Sequence, residues 1–444
     1  MRLQGTMRIN AAGHLEIGGC DTVDLARDFG TPLYVIDEAL LRSNCREYYD
    51  AFTKENSNDL VIYAGKAFLV GAMSRIVAEE GLGLDVVSGG ELSIALSSGF
   101  PPEKIFLHGN NKSPEEMLYA LKSGVGRIVV DNYFELEMLE KLAFQEGVRP
   151  AVLLRIAPGI EAHTHSIITT GQTDSKFGFT LENGDALNAV KIALALNHID
   201  LKGLHCHIGS QIFELDAFRH TARVMMGFLK EIRDRLGWTA EELDLGGGLG
   251  VYYSDGDNPP SIKDYADAIQ SSVDDCCRKW GYPRPSLIVE PGRSIISPAG
   301  TTIYTIGGIK DIPGIRKYVA VDGGMTDNPR VALYQAKYEG LIANKADIPV
   351  QEVVSVTGRC CESGDMLIWD LAVPKVEPGD LLAISCTGAY NYSMSSNYNG
   401  LPRPAVVLVK DGSADLIVER ETYEDLRRHH RIPPRLLGTC RQKG

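Results

Sequence analysis

Leu60-Val-Ile-Tyr-Ala-Gly-Lys66 is followed by Phe68 to Glu80 and then by Gly83-Leu-Asp-Val-Val-Ser88. A short β-rich apolar run, a stretch of helical length and a second apolar run make one β-α-β unit. The same alternation continues along the middle of the chain. Strands are expected at Leu60 to Lys66, Gly83 to Ser88, Lys104 to Gly109, Arg127 to Asp131, Ala151 to Ala157, Leu201 to Gly209, Glu242 to Gly250 and Ser286 to Gly292. Phe68 to Glu80, Ser113 to Ser123, Tyr133 to Glu146 and Asp216 to Leu236 have the length of right-handed crossover helices. Eight such units predict a closed (β/α)8 barrel, whereas a doubly wound open sheet would normally have fewer strands.

Gly246-Gly247-Gly248-Leu249-Gly250 resembles a dinucleotide loop, but Val251 stands where G-x-G-x-x-G needs its last glycine. Beyond the eighth strand the pattern changes to strands without long helices, at Tyr318 to Met325, Gln351 to Arg359, Leu381 to Tyr390, Ala405 to Lys410 and Asp415 to Glu421. The expected organisation is an N-terminal segment, 1–38, packing with a C-terminal all-β domain, 301–444, around a barrel at 39–300. Pro32-Leu33-Tyr34-Val35-Ile36 is the strand-like part of that first segment.

The chain has 444 residues, enough for two domains, and its 44% apolar and 23% charged content is that of a globular protein. With 45 Lys plus Arg against 58 Asp plus Glu, the net charge of −13 argues against nucleic-acid or anionic-membrane partners. The basic run Arg427-Arg428-His429-His430-Arg431 reads as a solvated tail. No membrane-length apolar run and no signal-peptide core is present, so a cytoplasmic location is expected. The nine cysteines include no C-x-x-C pair, and Cys276-Cys277 and Cys360-Cys361 are adjacent, which suits neither zinc spacing nor a disulfide framework.

Barrel active sites lie at the C-terminal strand ends, and there the reactive side chains gather. Lys66 ends the first strand, Asp85 to Ser88 the second, His108 and Asn110 the third, and Arg155 lies late in the fifth. His207 lies late in the sixth, the glycine run ends the seventh, and Glu290-Pro-Gly-Arg293 ends the eighth. A lysine enclosed at the mouth can attack a carbonyl carbon, although an isolated strand lysine is ordinarily a salt-bridged surface group. Consecutive glycines with Ser210 suit an anion cradle, or equally a tight βα turn. Glu290 suits a pyridinium nitrogen, or equally a local ion pair with Arg293. His207 suits stacking on a flat cofactor, or a satisfied core position. His205 lacks a third ligand in the sequence, so no metal is expected.

Tyr63-Ala-Gly-Lys66, His205-Cys-His-Ile-Gly-Ser210, Asp244-Leu-Gly-Gly-Gly248, Glu290-Pro-Gly-Arg293, Gly358-Arg-Cys-Cys-Glu-Ser-Gly-Asp365 and Gly388-Ala-Tyr390 occur in this order. With these six motifs the chain resembles the alanine-racemase-like, fold type III decarboxylases that use pyridoxal 5′-phosphate (PLP), from about Gly13 to Arg420. The resemblance implies that Lys66 binds the cofactor covalently, His207 stacks on its ring and Glu290 pairs with the ring nitrogen. Ser210, Gly246, Gly247, Gly248 and Tyr390 would hold the phosphate, with Asp85, Gly292 and Arg293 completing the cofactor shell. Arg293, Arg330, Tyr334, Glu362 and Tyr390 would contact substrate, and Cys361 would work at the reacting carbon. Cys361 and Glu362 would come from the other subunit of a homodimer.

Asp322-Gly-Gly-Met-Thr-Asp-Asn-Pro-Arg330 and Ser395-Ser-Asn-Tyr-Asn-Gly-Leu-Pro-Arg403 resemble the branch of that family acting on diaminopimelate. The Leu401-Pro-Arg403 segment departs from that branch's Arg-Pro-Arg. An arginine at 330 can hold a distal carboxylate bidentately while Glu362 takes the distal ammonium. The implied reaction turns meso-diaminopimelate into L-lysine and CO2, the last step of lysine biosynthesis. The competing readings are a related decarboxylase of ornithine, arginine or carboxynorspermidine, a catalytically silent binding module, and a racemase.

Overall fold

The computed structural model describes residues 1–54, 56–160 and 175–437. Eight parallel strands close on themselves: Leu60–Ala64, Gly83–Val86, Ile105–Leu107, Arg127–Val130, Ala151–Ala157, Asp200–His205, Glu242–Asp244 and Ser286–Val289. Closure is made by the pairing of Ile288 with Leu60 and Val289 with Val61. Ile62, Phe106, Val129, Leu153 and Ile288 fill the interior and are almost fully buried, so the barrel is a packed core with its chemistry at one end.

The expected strands are all present, but several are shorter than the sequence suggests. The first ends at Ala64, and Lys66 lies in the 3-10 turn Gly65–Ala67. The sixth ends at His205 and the seventh at Asp244, which places His207 and the whole glycine run in loops at the mouth. These loops stay apolar and buried, with Cys206, Ile208, Leu245 and Leu249 almost inaccessible, so their composition continues the strand pattern after the ladder has ended.

Helices follow from their end signals. Ser113 caps Pro114–Ser123 in a reciprocal capping box with Glu116, and Gly124 closes it in the left-handed conformation. Leu215–Leu236 and Ile262–Trp280 are the two longest crossovers and pack on each other and the barrel.

The second sheet is built around Gly300–Ile312, a strand with no counterpart in the sequence reading. It pairs antiparallel with Leu33–Asp37, Arg316–Val321 and Leu381–Ser385. Leu33–Asp37 also lies parallel to Ala405–Lys410, so the first segment of the chain supplies an inner strand of this sheet. Asp37 then caps the helix Glu38–Thr53, its side chain accepting the Leu40 N–H, and the chain passes directly onto the barrel. A further strand, Met366–Val373, pairs with Glu352–Thr357. Among the described residues, no helix is long and apolar enough to cross a membrane.

Candidate active site

The barrel mouth and the second sheet enclose a cavity of about 700 Å3. Lys66, Asp85, His207, Ser210, Gly248, Glu290, Gly292, Arg293, Arg330, Tyr334 and Tyr390 all line it. The second domain reaches the lysine turn directly: the Tyr390 N–H and the Ser393 hydroxyl both donate to the Ala67 carbonyl, at 2.9 and 3.0 Å.

Lys66 stands in open space inside this enclosure, so its amine is reachable from the cavity while protein surrounds it. Enclosure alone would lower its pKa, but Tyr390, Asp85 and Glu290 outweigh that and raise it. Opposite, Glu290 lies 2.8 Å from His108 Nε2 and 3.3 Å from His205 Nε2. Burial works against its charge, but the two imidazoles hold its carboxyl well below the usual carboxylate range. Burial and the Glu290 charge push Asp244 the other way, well above that range. The surroundings thus push the two members of this buried carboxyl pair in opposite directions.

His108, His205, Asp244 and Glu290 present ligand-type atoms all within 4.8 Å of one another. His205 reads as isolated along the chain because these neighbours come from the ends of three other strands.

The glycine run has the shape of a cradle. Gly246 has φ +67°, and a Cβ at Gly247 would stand 2.1 Å from the Glu290 carbonyl, so a side chain is excluded where the backbone passes the eighth strand end. Gly247 donates its N–H to His207 Nδ1 at 3.2 Å, which fixes the ring beside the run. Burial, with the Lys66 ammonium nearby, holds His207 well below its ordinary pKa. Arg293 closes the cradle: Nε and Nη2 donate to Ser210 Oγ at 3.1 and 2.9 Å, and Nη1 donates to Tyr253 OH at 2.7 Å.

A second guanidinium also lines the cavity. Arg330 is 7% exposed, donates to Tyr338 OH at 2.6 Å and lies 4.9 Å from the Tyr253 ring centroid. Tyr253 thus separates the two arginines. Neither tyrosine carried a sequence signal beyond being aromatic in a loop.

Cys361 and Glu362 do not line this cavity. They sit on an exposed turn of the second domain, where the Cys361 N–H donates to Asn399 Oδ1 at 2.7 Å. Arg403, in the loop whose sequence departs from the expected pattern, is held internally by Glu421 and the Ser395 carbonyl.

A family profile described as "Pyridoxal-dependent decarboxylase, pyridoxal binding domain" matches residues 39–297. A diaminopimelate decarboxylase of Bacillus subtilis is 52% identical over 426 residues, covering 96% of this chain and 97% of the relative. The chain belongs to the diaminopimelate decarboxylase family. A diaminopimelate decarboxylase of Bacillus methanolicus is 51% identical, covering 95% of this chain and 98% of the relative. The crystal structure of an M. jannaschii diaminopimelate decarboxylase in complex with L-lysine superposes with a TM-score of 0.91 at 38% identity, covering 97% and 99% of the two chains.

The enzyme is therefore a carboxy-lyase that uses PLP, and the cavity has the donors that cofactor needs. It offers a primary amine, an ionised carboxylate backed by two imidazoles, and a glycine cradle flanked by Ser210 and Arg293.

Proposed function

We propose that this enzyme decarboxylates meso-diaminopimelate to L-lysine and CO2 in the cytoplasm, completing lysine biosynthesis, from active sites shared between the two subunits of a homodimer. The observation that carries the substrate choice is Arg330. Arg330 is buried and lines the same cavity as Lys66, and its guanidinium could take a second carboxylate that ornithine lacks.

Lys66 would carry the cofactor through Nζ and give up that place to the amino group of the substrate. Ser210, Arg293 and the backbone of Gly246 to Gly248 would hold the phosphate, with Tyr390 against it, while His207 would face the ring and Asp85 and Gly292 would complete the pocket. Glu290 would keep the proton on the ring nitrogen. Bound PLP supplies an electron sink for the pair left when the bond to the α-carboxylate breaks. Arg330 would orient the distal carboxylate, with Tyr334 beside it.

The remaining groups would come from across the interface. Glu362 of the partner subunit would meet the distal ammonium, and Cys361 of the partner subunit would return a proton to the reacting carbon. This fits their position on an exposed turn outside the cavity of their own chain.

CO2 release from meso-diaminopimelate, with and without added PLP, is the primary test. Preferred turnover of ornithine, arginine or carboxynorspermidine would replace the substrate; no release with any of them would leave a binding module. Arg330→Ala should raise KM for diaminopimelate about thirtyfold or more, as expected for a lost bidentate charge-assisted contact. An unchanged KM removes Arg330 from the site. Borohydride reduction followed by peptide mapping should place the cofactor on Lys66, and Lys66→Ala should abolish both the adduct and turnover.

A further inference from the structure

The loop that carries Arg330 and the turn that carries Cys361 and Glu362 are fastened together by one buried side chain. Asp365 is 3% exposed and lies between them. Its Oδ1 accepts the Met325 N–H at 2.7 Å, and its Oδ2 accepts the Cys360 N–H at 2.7 Å. One carboxyl oxygen thus serves each loop.

The backbone is shaped around this carboxyl. A Cβ on Gly324 would stand 2.6 Å from Asp365 Oδ1, and a Cβ on Gly358 would stand 2.2 Å from Oδ2. A glycine from each loop therefore lets the main chain approach the same group. The Arg359 N–H also donates to the Gly323 carbonyl at 2.9 Å, so the two loops touch directly beside it. A third segment braces the pair: Ser396 N–H donates to the Thr326 carbonyl at 2.9 Å, while Asn399 Oδ1 accepts the Cys361 N–H at 2.7 Å.

Arg330 lines the cavity of its own chain, whereas Cys361 and Glu362 do not. On the shared-site reading proposed above, on which this inference rests, the first loop serves one active site of the dimer and the second serves the other. We propose that Asp365 is a positioning residue that couples the two active sites. It fixes the Arg330 loop of one site and the Cys361–Glu362 turn of the other in a single rigid unit, so displacement of either loop is felt at both. Asp365 itself touches no substrate.

The coupling can be read one site at a time in tagged heterodimers that contain a single Lys66. In the first, an Asp365→Asn chain with Lys66 pairs with a Lys66→Ala chain, so the working site has the altered Arg330 loop and an intact Cys361 turn. In the second, a chain otherwise unaltered pairs with a Lys66→Ala, Asp365→Asn chain, so the working site has an intact Arg330 loop and an altered Cys361 turn. Relative to the heterodimer with Lys66→Ala alone, the first should show KM raised about tenfold with kcat little changed. The second should show kcat lowered about tenfold, each figure being that for one lost buried hydrogen bond. A defect in only one heterodimer, or in neither, overturns the proposal.

Gly358→Ala is the second variant, since it crowds Asp365 from the Cys361 side alone. In the homodimer it should raise KM as well as lower kcat, and a loss of kcat alone overturns the coupling. Should a Lys66→Ala and Cys361→Ala mixture show no complementation although its subunits exchange, the shared-site reading fails first. The two failures are therefore distinct.

Discussion

Glu290 shows how neighbouring charge sets a residue's role. Three buried groups converge on it, and the two imidazoles keep it ionised despite full enclosure. Glu290→Gln keeps the shape and removes the charge, so the cofactor should still load while the stabilisation of charge developing in the ring is lost. Turnover should fall about a hundredfold or more, the scale seen when a preorganised electrostatic partner is removed. The check is kcat together with PLP content after acid release; normal kcat at normal loading would exclude Glu290 from the reaction. Asp327 carries a pH signature of a different kind. Burial pushes its carboxyl up to about 7, although it accepts from the Tyr304 hydroxyl and the Gly324 N–H. The folded state thus holds this proton more tightly than the unfolded chain. Its contribution to stability is complete below pH about 4 and is lost as pH rises through about 7. Urea denaturation should show wild type losing up to about 1.4 kcal/mol per pH unit from this group across that window. Asp327→Asn should be most destabilised relative to wild type at pH about 4, with the difference shrinking as pH rises through about 7.

At the scale of elements, the third and fourth strand ends are joined by a buried ion pair. Lys112 Nζ donates to the Gly109 carbonyl at 2.7 Å, the Val129 carbonyl at 2.6 Å and Glu135 Oε2 at 2.9 Å, and all three of its hydrogens are used. Glu135 also accepts the N–H groups of Lys112 and Asp131. Lys112→Met leaves Glu135 fully buried without its cation, which costs about 3–5 kcal/mol, whereas adding Glu135→Leu should restore much of that. Denaturant midpoints of the two single variants and the double variant check this, and additive losses would contradict it. The eight barrel strands were legible because parallel strands buried on both faces read as continuous apolar runs. Their C-terminal ends were not, since the loops beyond them are buried against the cavity and keep the same composition. Gly300–Ile312 was hidden by Gly307-Gly308, which falls where its pairing with Arg316–Val321 shifts register. Met366–Val373 was hidden by Trp369-Asp370, two exposed residues, with Asp370 at φ +53°. Lys66, Glu290 and Arg293 could be picked out because each lies within a few residues of a strand's C-terminal end. Tyr253 and Tyr338 could not, since their role arises only when Arg293 and Arg330, from separate elements, close on them.

For the whole molecule, the deciding feature is where the single chain places the proposed catalytic groups. Its cavity holds Lys66, Glu290, Ser210 and both arginines, while Cys361 and Glu362 stand outside it on a turn of the second domain. On the shared-site reading proposed above, a C2 dimer would give each cavity the turn of the other chain. Lys66→Ala and Cys361→Ala proteins should each be inactive. After equal mixing and full exchange, about half of the dimers should be mixed by random pairing of an isologous interface. Each mixed dimer holds one site with both defects and one with neither, so activity should recover to roughly a quarter of wild type. Mass-tagged subunits report the exchange independently. If exchange is complete and activity stays at background, Lys66 and Cys361 must serve the same site from the same chain, and the exposed turn would have to fold inward to reach it.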